Sequence, residues 1–150
     1  MSNITVVTTF HQPGLEIYGQ RFLDSFAQRV DKKIKLLVYA ENCNPSNPDP
    51  EQITILDAKE VLPKLNVFKE RWRNTPVYDA CVRSKDWCVW MDADTYVHSD
   101  WSYDNFKAQL PEDAWITYVG RGKGSQTWPE CGFYGMNLHH KTCQQFLAEF

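Results

Sequence analysis

Two aspartates one residue apart close the most apolar run of the chain, Val89-Trp90-Met91-Asp92-Ala93-Asp94-Thr95. In extended backbone, side chains two positions apart point to the same side. Asp92 and Asp94 would then share one surface. Two adjacent carboxylates at the rim of an apolar core are costly to keep ionised together. A divalent cation removes that cost, and oxygen ligands suit Mg2+ or Mn2+. Mg2+ keeps several waters and borrows phosphate oxygens from its substrate, so the pair suggests a site for a metal-bound diphosphate. A second reading stays open, in which the run ends in a simple turn and the aspartates accept backbone N–H groups.

The elements that must carry this pair are legible from periodicity. Residues 3–10 are a continuous β-branched run and suit a strand buried on both faces, with Pro13-Gly14 ending it. Leu15, Tyr18, Phe22, Phe26 and Val30 recur at three- and four-residue steps, which predicts an amphipathic helix. Residues 34–40 and 53–57 read as second and third strands, and 41–52, with three prolines, as a long surface loop. Residues 58–73 read as helical with Pro63 as a weak point, and 77–85 as a short helix. After the strand at 87–92, a helix over 100–110 is capped by Ser99 and stopped by Pro111. Strands follow at 114–119 and 131–138, with a glycine-rich loop at 120–125 between them and a helix over 139–150 behind. Strands alternating with helices give an α/β, largely parallel sheet flanked by helices on both faces. Ligands in such sheets sit at the carboxyl ends of the strands, here Thr8–Phe10, Ala40–Glu41 and Asp92–Asp94. The last helix has no stop signal and ends in mid-pattern, so the expectation is a domain that continues past Phe150.

Composition removes several classes. With 16 Lys+Arg against 19 Asp+Glu and no basic block, a chain built to grip nucleic acid is excluded. No apolar run approaches the roughly 18 residues of a membrane span, and the start does not resemble a secretory signal. Five cysteines without a CxxC pair argue against a disulfide framework or zinc ribbon, and point to reduced thiols and a cytoplasmic location.

The strand VWMDADT resembles the Asp-x-Asp motif of GT-A-fold glycosyltransferases. VVTTF, a helix and then LLVYAEN are similar to the first nucleotide-binding half of that fold, and PECGFYGMNL resembles its Glu-x-Gly-Phe segment. The likeness runs through most of the chain in the right order. It implies a single GT-A-like, Rossmann-like nucleotide-sugar-binding domain over residues 1–150, lacking a C-terminal portion. It further implies an enzyme that moves sugar from a UDP- or GDP-sugar to the hydroxyl of a glycan or other sugar acceptor, with Mn2+ or Mg2+. On that likeness Thr8, Thr9 and Phe10 hold base and ribose and Glu41 helps read the base. Asp92 faces the ribose or the metal's water, Ala93 links the pair, and Asp94 is the direct metal ligand. A metal clamps the charge that develops on the leaving diphosphate. An inverting enzyme would need a carboxylate base for the acceptor, for which Glu130 is the candidate. The bland alternative is an acidic loop residue beside Pro129.

Around Glu130, Trp128 is a candidate sugar-stacking ring, Phe133 reads as core and Tyr134 could line the same place. Gly132 and Gly135 would allow close backbone approach to a sugar or mark a bulge. Arg121 and Lys123 read as a solvated loop. His139-His140 read as surface or capping residues, and His98 would have to turn back to reach a metal. Arg83 or Lys85 could supply the basic residue that faces the nucleotide. Two other functions stay open. One is an inactive nucleotide-binding remnant of the same fold. The other is a Mg2+-dependent haloacid-dehalogenase-type phosphotransferase, although Thr95 comes one place early for it. A calcium EF-hand loop fails because Val97 stands where glycine is required.

Overall fold

Apolar runs separated by amphipathic segments fold into a six-stranded sheet of order β3-β2-β1-β4-β6-β5. The computed structural model describes residues 1–62, 72–120 and 130–149. β1 (Ile4–His11) pairs in parallel with β2 (Ile34–Glu41) and with β4 (Trp87–Met91), and β2 pairs in parallel with β3 (Ile53–Asp57). β6 (Glu130–Asn137) is antiparallel to β4 and to β5 (Ile116–Val119). The parallel expectation therefore holds for β1 to β4. The 131–138 strand instead runs backward beside them.

Helices cover both faces. On one face, Phe22, Leu23 and Phe26 of α2 (Gln20–Arg29) and Phe106 of α5 (Tyr103–Lys107) pack with Val6, Phe10, Leu36, Val89 and Met91. On the other, Val77, Ala80 and Cys81 of α4 (Pro76–Arg83) and Cys143 of α6 (Lys141–Glu149) meet Val7, Tyr39, Cys88 and Met136. Alternate strand residues feed opposite cores, which is why these strands read as unbroken apolar runs.

Three local readings are corrected. Pro13-Gly14 does not separate strand from helix. It lies in a first helical turn, α1 (Gln12–Gly14), which a π turn at Leu15–Gly19 joins to α2. Proline is tolerated there because first-turn N–H groups have no helical partner. The 100–110 helix shortens to α5 and is capped by Ser102, whose hydroxyl accepts the Asn105 N–H at 3.2 Å, and not by Ser99. Trp101 is held out of the helix because its backbone bridges Arg29 and Asp31 at 2.8 and 2.9 Å. Of the 58–73 reading, α3 (Ala58–Val61) and a 3-10 turn at Trp72–Asn74 are seen, and 63–71 lies outside the described residues.

Among the described residues, no disulfide is formed. Among the described residues, no helix is long and apolar enough to cross a membrane.

Candidate functional site

β1 and β4 run side by side, β1 continuing past the end of β4, and a cavity of about 210 Å3 opens over their carboxyl ends, lined by Thr9, Tyr18, Trp90, Asp92, Ala93 and Asp94. The strand stops at Met91 and the chain turns, with the Thr95 N–H donating to the Asp92 carbonyl at 3.1 Å. The motif is thus a turn and not extended backbone, yet both carboxylates still line one cavity. The Asp92 N–H donates to the Gly132 carbonyl at 2.9 Å, which fastens the motif to β6. This places Gly132 of the Glu-x-Gly-Phe segment beside the aspartate pair.

Asp92 is held by a neighbour. The Trp90 indole N–H donates to Asp92 Oδ1 at 2.6 Å. The Trp90 ring is itself stacked on Tyr134, with ring centres 6.3 Å apart and planes 19° apart. Burial pushes the Tyr134 phenol well above its ordinary value, so this ring is a neutral support. Among the described residues, no backbone N–H donates to either carboxylate of the pair.

The first strand splits its candidates. Successive strand residues face opposite sides. Thr9 faces the cavity, and its hydroxyl lies 2.8 Å from both the Tyr39 carbonyl and Glu41 Oε1. One proton serves two acceptors there, so Glu41 is tethered to the cavity wall through Thr9. Thr8 and Phe10 face the other way. Thr8 is fully buried, and among the described residues its hydroxyl has no partner. Phe10 is core, so close to Gly19 that a Cβ there would stand 3.2 Å from its ring. The structure brings Thr9, Asp92, Ala93 and Asp94 together, with Glu41 attached, and withdraws Thr8 and Phe10 beneath α2.

Two wall residues escaped the sequence reading. Trp90 stands two places before Asp92, so the strand period alone could have put its side chain on the same face. Tyr18 was taken as a core position of the helix. Its ring lies over Gly14, where a Cβ would come within 2.6 Å of the phenol oxygen. Only the folded helix brings it to the strand ends.

The remaining candidates sort by position. Trp128, Arg121 and Lys123 lie outside the described residues, as does the side chain of Glu130, whose backbone opens β6 opposite Val119. Phe133 packs on Phe106 in the core, with ring centres 5.9 Å apart. Gly135 is a packing glycine: a Cβ would meet Leu110 at 2.8 Å and Thr117 at 3.0 Å, so no sugar approaches there. His139 bonds Asp86 at 2.5 Å and His140 accepts the Thr142 N–H at the start of α6, the surface and capping roles expected of them. Arg83 binds Asp79, and with Lys85 it lies at the amino ends of the strands, away from the aspartate pair. Neither supplies a basic residue to this cavity. Among the described residues, no group of three or more His, Cys, Asp or Glu comes together to hold a metal.

No protein-family model matches the sequence, and no curated protein matches it. Solved structures do. The bifunctional glycosyltransferase WbbM aligns over 99% of this chain and 34% of its own, at TM-score 0.62 and 14% identity. The glycosyltransferase GlyE of Streptococcus pneumoniae aligns over 99% and 38%, at TM-score 0.62 and 13% identity. The fold is GT-A. Glucosyl-3-phosphoglycerate synthase of Mycobacterium tuberculosis, solved with Mn2+, uridine diphosphate and phosphoglyceric acid, aligns over 91% and 56%, at TM-score 0.56 and 15% identity. The chain spans about a third of the length of the first two GT-A structures.

Proposed function

We propose that this chain binds a nucleotide-diphosphate sugar at the cavity over β1 and β4 and takes part in transfer of the sugar to an acceptor hydroxyl. The observation that carries the reading is the convergence of Asp92 and Asp94 on one cavity, beside the Thr9–Glu41 pair, at the carboxyl ends of parallel strands. Open α/β sheets bind ligands there. The GT-A fold and the glycosyltransferase neighbours support it.

The donor set fits Mg2+ or Mn2+. Two carboxylates give hard oxygen ligands and leave coordination positions for water and for the diphosphate of the substrate. Bound there, the cation would neutralise charge on the departing nucleoside diphosphate. Trp90 occupies Asp92 Oδ1, and Oδ2 is the oxygen this reading gives to the ligand. Asp94, exposed and without a protein partner among the described residues, is the direct ligand in this reading. Thr9 and Glu41 offer a hydroxyl and a carboxylate to the nucleoside, and Ala93 keeps the turn small. Glu130, at the head of β6, is the proposed base that takes the proton of the acceptor hydroxyl. UDP or GDP as carrier, and a glycan or other sugar as acceptor, complete the proposal. Five cysteines without a CxxC pair support a reducing, cytoplasmic setting.

A second reading is a nucleotide-binding module without turnover of its own. What favours it is that the described residues bring together two acidic side chains and no third metal ligand. One experiment separates the readings. Titrate UDP and GDP, with Mn2+ and without, against thermal stability, then assay hydrolysis or transfer of the matching nucleotide sugars. Metal-dependent stabilisation with turnover supports the transferase. Stabilisation without turnover supports the module. No shift with either nucleotide, with Mn2+ or without, sinks both.

A further inference from the structure

At the amino ends of β1 and β2 lies a second cavity of about 210 Å3, lined by Asn3, Thr5, Lys33, Lys35, Arg83 and Lys85 among others. Among the described residues, four cationic side chains line it and no carboxylate does. The chain as a whole carries a net charge of −3, so this is a local reversal of sign.

The nearby acids are already engaged. Asp79 accepts from Tyr39 and Arg83 at 2.6 Å each, leaving one guanidinium nitrogen of Arg83 uncommitted. Asp86 accepts from Asn3 and meets His139. Asp31 accepts the backbone N–H groups of Lys33 and Tyr103. Elsewhere lysines are paired, as Lys32 with Asp49 at 2.6 Å and Lys107 with Glu112 at 2.5 Å. Among the described residues, Lys33, Lys35 and Lys85 have no ion-pair partner. Lys35 reaches only the Glu51 carbonyl, at 3.1 Å.

We propose that this pocket binds a phosphate-type anion, either free in solution or presented as an anionic lipid headgroup. Like charges facing one concavity repel, and a multivalent anion relieves that repulsion. Three ammonium groups supply point charges, and Arg83 adds a directional N–H to phosphate oxygen. The Thr5 hydroxyl, on the same face of β1, adds a neutral donor. The site is independent of the aspartate pair.

Inorganic pyrophosphate is titrated calorimetrically into the chain with EDTA present, so that metal at Asp92 and Asp94 plays no part. Wild type and Asp94→Ala bind alike, and the double variant Lys33→Gln/Lys85→Gln loses about tenfold or more in affinity. Both lysines are exposed, so circular dichroism of the variant matches wild type. Sedimentation with phosphatidylglycerol vesicles, against phosphatidylcholine vesicles, assigns the source: lysine-dependent capture by the anionic vesicles means a headgroup, and its absence beside pyrophosphate binding means a free anion. No pyrophosphate binding by wild type, or unchanged binding by the folded double variant, overturns the proposal.

Discussion

The two ends of the same parallel strands carry opposite charge. At the carboxyl ends, Asp92 and Asp94 line a cavity to which, among the described residues, no cationic side chain contributes, with Glu41 fastened to its wall. At the amino ends, four cations and, among the described residues, no carboxylate line a cavity. β1 contributes Thr9 to the first and Thr5 to the second. Four residues of strand place them about 13 Å apart, beyond the roughly 8–10 Å screening length of physiological salt. The ends can therefore be perturbed one at a time. A net charge near neutrality hides this polarity, because it sums two separated patches.

The largest effect expected is at the acidic end. Asp94→Ala loses about a hundredfold or more of Mn2+-dependent nucleotide affinity, roughly 2.7 kcal/mol, while staying folded. Isothermal titration with and without EDTA checks it, and an unchanged metal dependence would break the comparison at its acidic end.

Trp90→Phe keeps an aromatic face for Tyr134 but removes the donor to Asp92. Mn2+ affinity falls about tenfold with little change in melting temperature. Manganese EPR titration reads the free ion directly, and retention of wild-type affinity would leave Trp90 as packing only.

At the amino end, the Asn3 backbone N–H and then His139 hold the Asp86 carboxyl down, to about 2. A carboxyl depressed in the folded state stabilises above its unfolded value, near 3.9, and that contribution is lost as pH falls through the folded value. Asp86→Asn, whose contacts are partly solvent-exposed, costs about 1 kcal/mol at neutral pH. It also flattens the fall in stability between about pH 4 and pH 2, without touching Mn2+ binding. Urea melts across that range test both halves of the statement.

The smallest change is expected of Thr9→Val, which keeps shape and removes one hydroxyl between Tyr39 and Glu41. Nucleotide affinity falls a few-fold, about 0.7 kcal/mol, and metal affinity alone is unmoved. A parallel fall in metal affinity would mean that Glu41 acts on the cation.

Much of the scaffold was legible. The β-branched and apolar runs that became β1, β2, β3 and β4 declared themselves because both faces of those strands are buried, and burial on both faces leaves no polar alternation to misread. The Ser102 cap was missed because Trp101 is recruited by Arg29 and Asp31, a contact between segments about 70 residues apart that no local pattern announces. The direction of β6 was also hidden, since periodicity reports which residues alternate and not which way a strand runs.

By itself the sequence determined the order of elements, the aspartate pair and the family it resembles, because these depend on residue type at short spacing. Only the tertiary structure decided which side chains share a cavity. It turned Thr9 toward the aspartates and Thr8 and Phe10 into the core, brought Tyr18 from a helix to the strand ends, and collected lysines from two segments into one basic pocket. Those outcomes depend on pairing between distant segments, where a strand's face and register are set by what packs against it.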